Sequence, residues 1–157
     1  MPIDTEHDVF IRRSIELSKK AVEKSNLPFG ALLVRDNLIL LEAENEVVTE
    51  NDPTRHAELS LLSSACRAFS REILASSILY TSTEPCAMCA GAVFWANIQT
   101  VVYGCSEAAL NALVSADSKD GNLGIACRDI LSKHGIKIIG PIFEEEAVAV
   151  HKGFWTS

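Results

Sequence analysis

Apolar and polar residues recur along this chain with two periods, and the changeovers mark its elements. From Thr5 to about Ser25, Val9, Phe10, Ile11, Ile15, Leu17, Ala21 and Val22 recur among charged residues. This predicts a helix with one face on a sheet. Pro28 and Gly30 mark the passage into Ala31 to Val34 and Leu38 to Ala43, two short apolar runs joined by Arg35-Asp36-Asn37. They read as an antiparallel hairpin buried on both faces. Asp52-Pro53-Thr54 supplies cap and start residues for a second helix continuing through Leu59, Leu61, Leu62 and Ala65, with His56 in its first turn.

Ser77 to Ser82 reads as a third strand, leading into a helix started by Pro85 and anchored by Ala90, Val93, Phe94 and Trp95. Thr100 to Tyr103 is a fourth strand, Ser106 to Val114 a short helix, and Ser115 to Asn122 a polar, irregular loop expected beside the site. Ile125 to His134 reads as helix, Ile136 to Ile139 as a fifth strand and Glu144 to Phe154 as a last helix. Helices alternating with strands around one sheet predict an α/β fold, a three-layer α/β/α sandwich.

Composition narrows the classes. The 157 residues are 48% hydrophobic, enough for one domain with a real core, and contain no tract resembling a membrane span or signal peptide. A soluble, cytoplasmic protein is expected. The net charge of −7 argues against a tightly held polyanion, because phosphate binding relies on clustered Lys and Arg. Arg12-Arg13, Lys19-Lys20 and Lys24 read instead as the wet face of the first helix. Five cysteines is an odd number that implies no disulfide framework. Cys66, Cys105 and Cys127 are expected to be buried small hydrophobes, and His7, His134 and His151 ordinary surface residues.

Two segments carry chemistry: His56-Ala57-Glu58 and Pro85-Cys86-Ala87-Met88-Cys89. His56, Cys86 and Cys89 are the expected zinc ligands, since imidazole and thiolate suit zinc and two thiolates cancel its formal charge. Three protein ligands leave a fourth position for water, whose pKa falls from about 15.7 to roughly 7. Glu58 stays off the metal as the acid/base that moves the water's proton. Cys86 and Cys89, three apart at a helix start, put both sulfurs on one face, where the helix dipole favours thiolate. Residues two apart on a regular helix point about 200° from each other, so His56 and Glu58 share one site only if that turn is irregular. Two alternatives stand beside this reading. One is a C-x-x-C redox pair; the other is a structural zinc site closed by Cys66, Cys105 or Cys127.

From Pro28 to about Gly104 the chain resembles the cytidine deaminase superfamily, carried by the H-x-E and P-C-x-x-C segments. Within it the similarity is to the branch holding guanine deaminases, yeast-type cytosine deaminase and tRNA-specific adenosine deaminases. The resemblance implies a five-stranded mixed sheet between helices, one zinc per chain, a small-molecule nucleobase or nucleoside substrate and a homodimer. Nucleic acid and membrane partners are not expected. It makes Phe29 a wall against the substrate ring and Asn45 a hydrogen-bonding partner of the substrate, and adds Ala57 as a contact. A core position explains Phe29 as well, and a turn explains Asn45. Trp95 is a further candidate lining residue that an apolar helix face explains equally.

Arg55 stands where the family usually has a small residue, so its side chain is expected to reshape the entrance. Asp117, with Asp120, is a candidate partner for a purine's amino and ring nitrogens, although the family's Phe-Asp-Asp-like segment is missing here. Phe154 and Trp155 read either as a closure over a neighbouring subunit's site or as the docking of the last helix. The implied activity is hydrolytic deamination, with guanine as the preferred base and cytosine or adenosine in tRNA as alternatives. A noncatalytic zinc-stabilised interaction module is the reading from another class.

Overall fold

The computed structural model describes residues 6–114 and 123–155. Helix α1 (Asp8–Glu23) leads to strands β1 (Gly30–Arg35) and β2 (Leu38–Glu44), followed by α2 (Ala57–Ala68), α3 (Arg71–Ala75) and β3 (Ile78–Thr83). Helix α4 (Ala87–Trp95), β4 (Thr100–Cys105), α5 (Glu107–Asn111), α6 (Cys127–Leu131), β5 (Lys137–Ile139) and α7 (Glu144–Trp155) complete the described chain. The sheet order is β2-β1-β3-β4-β5. β1 is antiparallel to both neighbours, and β3, β4 and β5 are parallel, which makes the sheet mixed.

Alternation along each strand sorts its side chains onto two faces. Ala31, Leu33, Leu79 and Val101 face α2, α3, α4 and α6, meeting Leu61, Leu62, Leu74, Val93 and Leu131 in one core. Leu32, Val34, Tyr80 and Val102 face the other way, onto Phe10, Ile11, Ile15 and Leu17 of α1 and Ala147 of α7. The result is the expected three-layer α/β/α sandwich. No helix among the described residues is long and apolar enough to cross a membrane.

The hairpin between β1 and β2 turns through Asp36 and Asn37, whose φ values of 51° and 62° fit a two-residue loop of matching twist. Its burial departs from expectation. β1 is buried along nearly its whole length, but β2 is an edge strand with a single neighbour, and Leu38 is 68% exposed. The start of β1 lies directly beneath α1: a Cβ on Gly30 would stand 2.5 Å from the Cβ of Leu17 and 2.6 Å from the carbonyl of Ser14. Only glycine fits there. α1 passes this closely because Ser14 and Ser18 are small and return their hydroxyl protons to the carbonyls of Ile11 and Ile15.

Three further expectations change. Asp52-Pro53-Thr54 does not cap α2; Asp52 accepts hydrogen bonds from the amide and hydroxyl of Thr54, closing a local turn, and the helix begins at Ala57. The short helix α3, which the apolar pattern does not announce, is capped by Ser70 accepting from the amide of Ile73. Beginning α4 at Ala87 turns Cys89, Ala90 and Val93 inward, leaving Phe94 and Trp95 partly exposed rather than anchored in the core.

Candidate metal centre and active site

Two helix starts converge below the sheet's carboxyl-end loops. His56 is the N-cap of α2, with an extended ψ of 150°, and Cys86 is the N-cap of α4, with ψ 173°. Cys89 follows in the first turn of α4. His56 Nδ1 lies 3.6 Å from the sulfur of Cys86 and 3.7 Å from that of Cys89. All three ligand atoms fall within 4.8 Å of one another, and this is the one such group of three or more among the described residues. Zinc bonds of about 2.3 Å to sulfur and about 2.05 Å to nitrogen at tetrahedral angles put N and S about 3.6 Å apart. The two nitrogen–sulfur separations therefore match that ion, and imidazole with two thiolates is a donor set that suits it.

The electrostatics ask for a cation. The hydrogen bond with Cys89, reinforced by His56, holds the Cys86 thiol down at about 4, whereas the neighbouring Cys86 sulfur pushes Cys89 up. The bond to Cys86 raises His56. The first amides of α4 favour the thiolate form of Cys86, its N-cap residue.

Glu58 stands beside this cluster, 4% exposed, and its Oε1 accepts from the hydroxyl of Thr81 at 3.1 Å. The Thr81 hydroxyl also lies 3.0 Å from the Thr83 carbonyl, so its one proton is shared between two acceptors. Burial, and after it the charge of Cys86, pushes the Glu58 carboxyl above the usual carboxylate range. A carboxyl raised by burial is suited to taking and returning protons.

His56, Glu58 and Cys86 open onto a cavity of about 260 Å³, walled by Leu27, Phe29, Val47 and Pro53 on one side and by Thr83, Glu84, Glu107, Leu110 and Trp155 on another. Phe29 lines this cavity and also packs against the core. Asn45 is 1% exposed and lines the adjoining polar cleft rather than this cavity; its Oδ1 accepts from the amides of Leu27 and Val47, two cavity-lining residues. Its Nδ2 has no hydrogen-bond partner.

Other candidates lie elsewhere. The Ala57 side chain packs in the core, fully buried, and does not line the cavity. Trp95 is 78% exposed and borders a different cleft with Phe94 and His134, because it sits on the outward face of α4's last turn. Arg55 pairs with Asp52 and faces a polar cleft with Lys24 and Asn26, not the entrance of this cavity. Asp117 and Asp120 lie outside the described residues, as does the 115–122 segment. Cys105 and Cys127 are buried, but Cys66 is exposed, on the outer side of α2, and none of the three joins the metal cluster.

Several site residues carry no sequence motif. Glu84 accepts from the amide of Glu107 and from the thiol of Cys127, and burial together with Glu84 raises the Glu107 carboxyl. His151, expected at the surface, is 1% exposed and hydrogen-bonded to Thr83 and Trp155. His7 is likewise not free at the surface, its Nδ1 lying 2.7 Å from the Tyr80 hydroxyl. The position of Glu84 directly before Pro85-Cys86 is the only sequence signal that points to any of them.

Residues 4–105 match the family model for the cytidine and deoxycytidylate deaminase zinc-binding region. A probable cytosine deaminase of Schizosaccharomyces pombe is 37% identical over 148 residues, 93% of this chain and 90% of that protein. A guanine deaminase of Bacillus subtilis is 43% identical over 98 residues, 62% of this chain and 63% of that one. Among solved structures, guanine deaminase from Nitrosomonas europaea superimposes with a TM-score of 0.81 at 22% identity, covering 100% of this chain and 87% of that one. That likeness concerns the fold. The extent of the family match and the identity to the yeast protein establish that this chain belongs to the cytidine and deoxycytidylate deaminase family, enzymes that hydrolyse a C–N bond.

Proposed function

We propose that the protein deaminates a small free nucleobase, guanine before others, releasing ammonia. The observation that carries this reading is Glu58: a buried carboxyl outside the His56-Cys86-Cys89 cluster that lines the same base-sized cavity. Zinc is the cation the donor set fits, one per chain, and when bound it supplies the Lewis acidity that brings the pKa of water from 15.7 to about 7. Glu58 accepts a proton from the attacking water and passes it to the ring nitrogen beside the amino-bearing carbon. A second proton, returned from the added hydroxyl through the same carboxylate, leaves with the amine as ammonia, and the water's oxygen remains as the ring carbonyl.

Phe29 lines the cavity as an apolar wall for the ring. The Nδ2 of Asn45, behind the lining residues Leu27 and Val47 that its Oδ1 holds, is a donor suited to a ring carbonyl, since a buried donor left unmatched costs about 1–3 kcal/mol. The carboxyls of Glu84 and Glu107 suit a base rich in N–H groups and repel a phosphate backbone, which disfavours tRNA. Cytosine is the second reading, because the similarity running nearly the whole chain is to a protein named as a probable cytosine deaminase. A homodimer belongs to the same proposal; exposed Trp95 and Phe94 are apolar surface for it to cover, and sedimentation tests it. Ammonia release measured on guanine, cytosine, adenosine and a tRNA stem-loop decides among substrates. Turnover of guanine is expected, turnover of cytosine alone moves the assignment to the second reading, and activity confined to the RNA overturns both.

A further inference from the structure

Behind the cavity wall, and not itself lining it, stands His151 of α7. Three residues that do line the cavity touch it. Its Nε2 lies 2.7 Å from the Thr83 hydroxyl, its Nδ1 accepts from the Trp155 indole at 3.0 Å, and its ring meets Phe29 edge-on at 5.2 Å between centroids. An indole nitrogen only donates, so Nδ1 must carry the lone pair, and in a neutral imidazole the proton is then on Nε2, donated to Thr83. Burial favours that neutral form, pushing the group down to about 4. Thr83 ends the strand that continues through Glu84 and Pro85 into the ligand Cys86. The imidazole thus ties the last turn of α7 to the strand end that presents the metal cluster.

We propose that His151 is a positioning residue, clamping the Trp155 indole against Thr83 so that it forms one wall of the substrate cavity. The inference rests on reading this cavity as the substrate site. The indole would otherwise sit on the last described turn of a helix, where few backbone bonds hold it. With the clamp, the wall is set before a flat base arrives, and binding need not order it.

The test uses the full chain in a Trp95→Phe background, which leaves Trp155 as the sole tryptophan of the two. His151→Phe keeps an aromatic ring and removes both hydrogen bonds. It is expected to raise acrylamide quenching of Trp155 and to raise KM about fivefold or more while kcat stays within about twofold and zinc content is unchanged. His151→Gln, whose amide both accepts and donates, is expected to recover most of the KM. Trp155→Phe removes the indole N–H with His151 intact. It is expected to raise KM similarly, and combining it with His151→Phe to add little, since both break one bond. Unchanged quenching and KM in His151→Phe, or strictly additive losses in the double variant, overturn the clamp. If the parent protein releases ammonia from no base, the deaminase reading fails separately, and Trp155 quenching still decides the role of His151.

Discussion

His56 and Glu58 are separated by one residue and face the same cavity, because α2 begins between them. On a continuous helix their side chains would diverge by about 200°. His56, at an extended ψ of 150°, lies outside the helix, and Glu58 occupies its first turn. One helix start thereby delivers a candidate metal ligand and a buried acid side by side, and the matching start of α4 delivers the two thiols.

Metal removal should be costly to both activity and stability. A zinc ion would bind the three clustered ligand atoms of the folded state in preference to the unfolded chain, where they are dispersed. With free zinc at a thousandfold the dissociation constant, the folded protein gains about 4 kcal/mol. Treatment with a strong chelator should abolish turnover and lower Tm, and added zinc should restore both. Calorimetry with metal analysis checks this; a stripped protein with the original Tm contradicts it.

Gly30→Ala should destabilise by about 3 kcal/mol, since overpacking against backbone and a fixed Cβ leaves nothing to move aside. Gly153→Ala in α7 meets nothing within 4 Å, and should be neutral or stabilising by up to about 1 kcal/mol from helix propensity. Urea midpoints of the two variants should move in opposite directions or differ by a wide margin.

Stability should fall with acid through His151. Its folded value of about 4 lies below its ordinary 6.5, so between these values the unfolded chain binds the extra proton and stability rises with pH. The contribution is present in full above pH 6.5 and is lost as pH falls towards 4. Its hydrogen-bond partners, Thr83 and Trp155, carry no charge that would offset the effect. Wild type should lose about 2 kcal/mol more than His151→Phe between about pH 7.5 and about pH 5. Both proteins keep the same metal ligands, so parallel pH profiles from urea unfolding contradict the assignment.

The sequence was most informative where chemistry is local. His56, Cys86, Cys89 and Glu58 sit in two short segments whose residue types and spacing point to one cluster, which the structure assembles, and apolar runs located five strands. Contacts between distant segments left no such trace. Nothing near His151 signals that Thr83, 68 residues away, closes over it. The apolar run of β2 looks like that of a central strand, because hydropathy does not count neighbours, and only the sheet order reveals an edge. Trp95 comes six residues after Cys89, near enough in sequence to suggest a pocket role, but a residue's azimuth depends on where its helix starts, and α4 starts at Ala87. The family pattern suggests that Arg55, in place of a small residue, reshapes the entrance, but Arg55 pairs with Asp52 and lines the adjoining cleft.

The most direct measurement of the central claim is Glu58→Gln, assayed for zinc content and for ammonia release on the base the wild type turns over. Glutamine preserves the shape and the acceptor for Thr81 but cannot shuttle protons. Full zinc with kcat lowered by about 10²–10⁴ is the predicted result. Turnover retained at the wild-type rate would contradict the account.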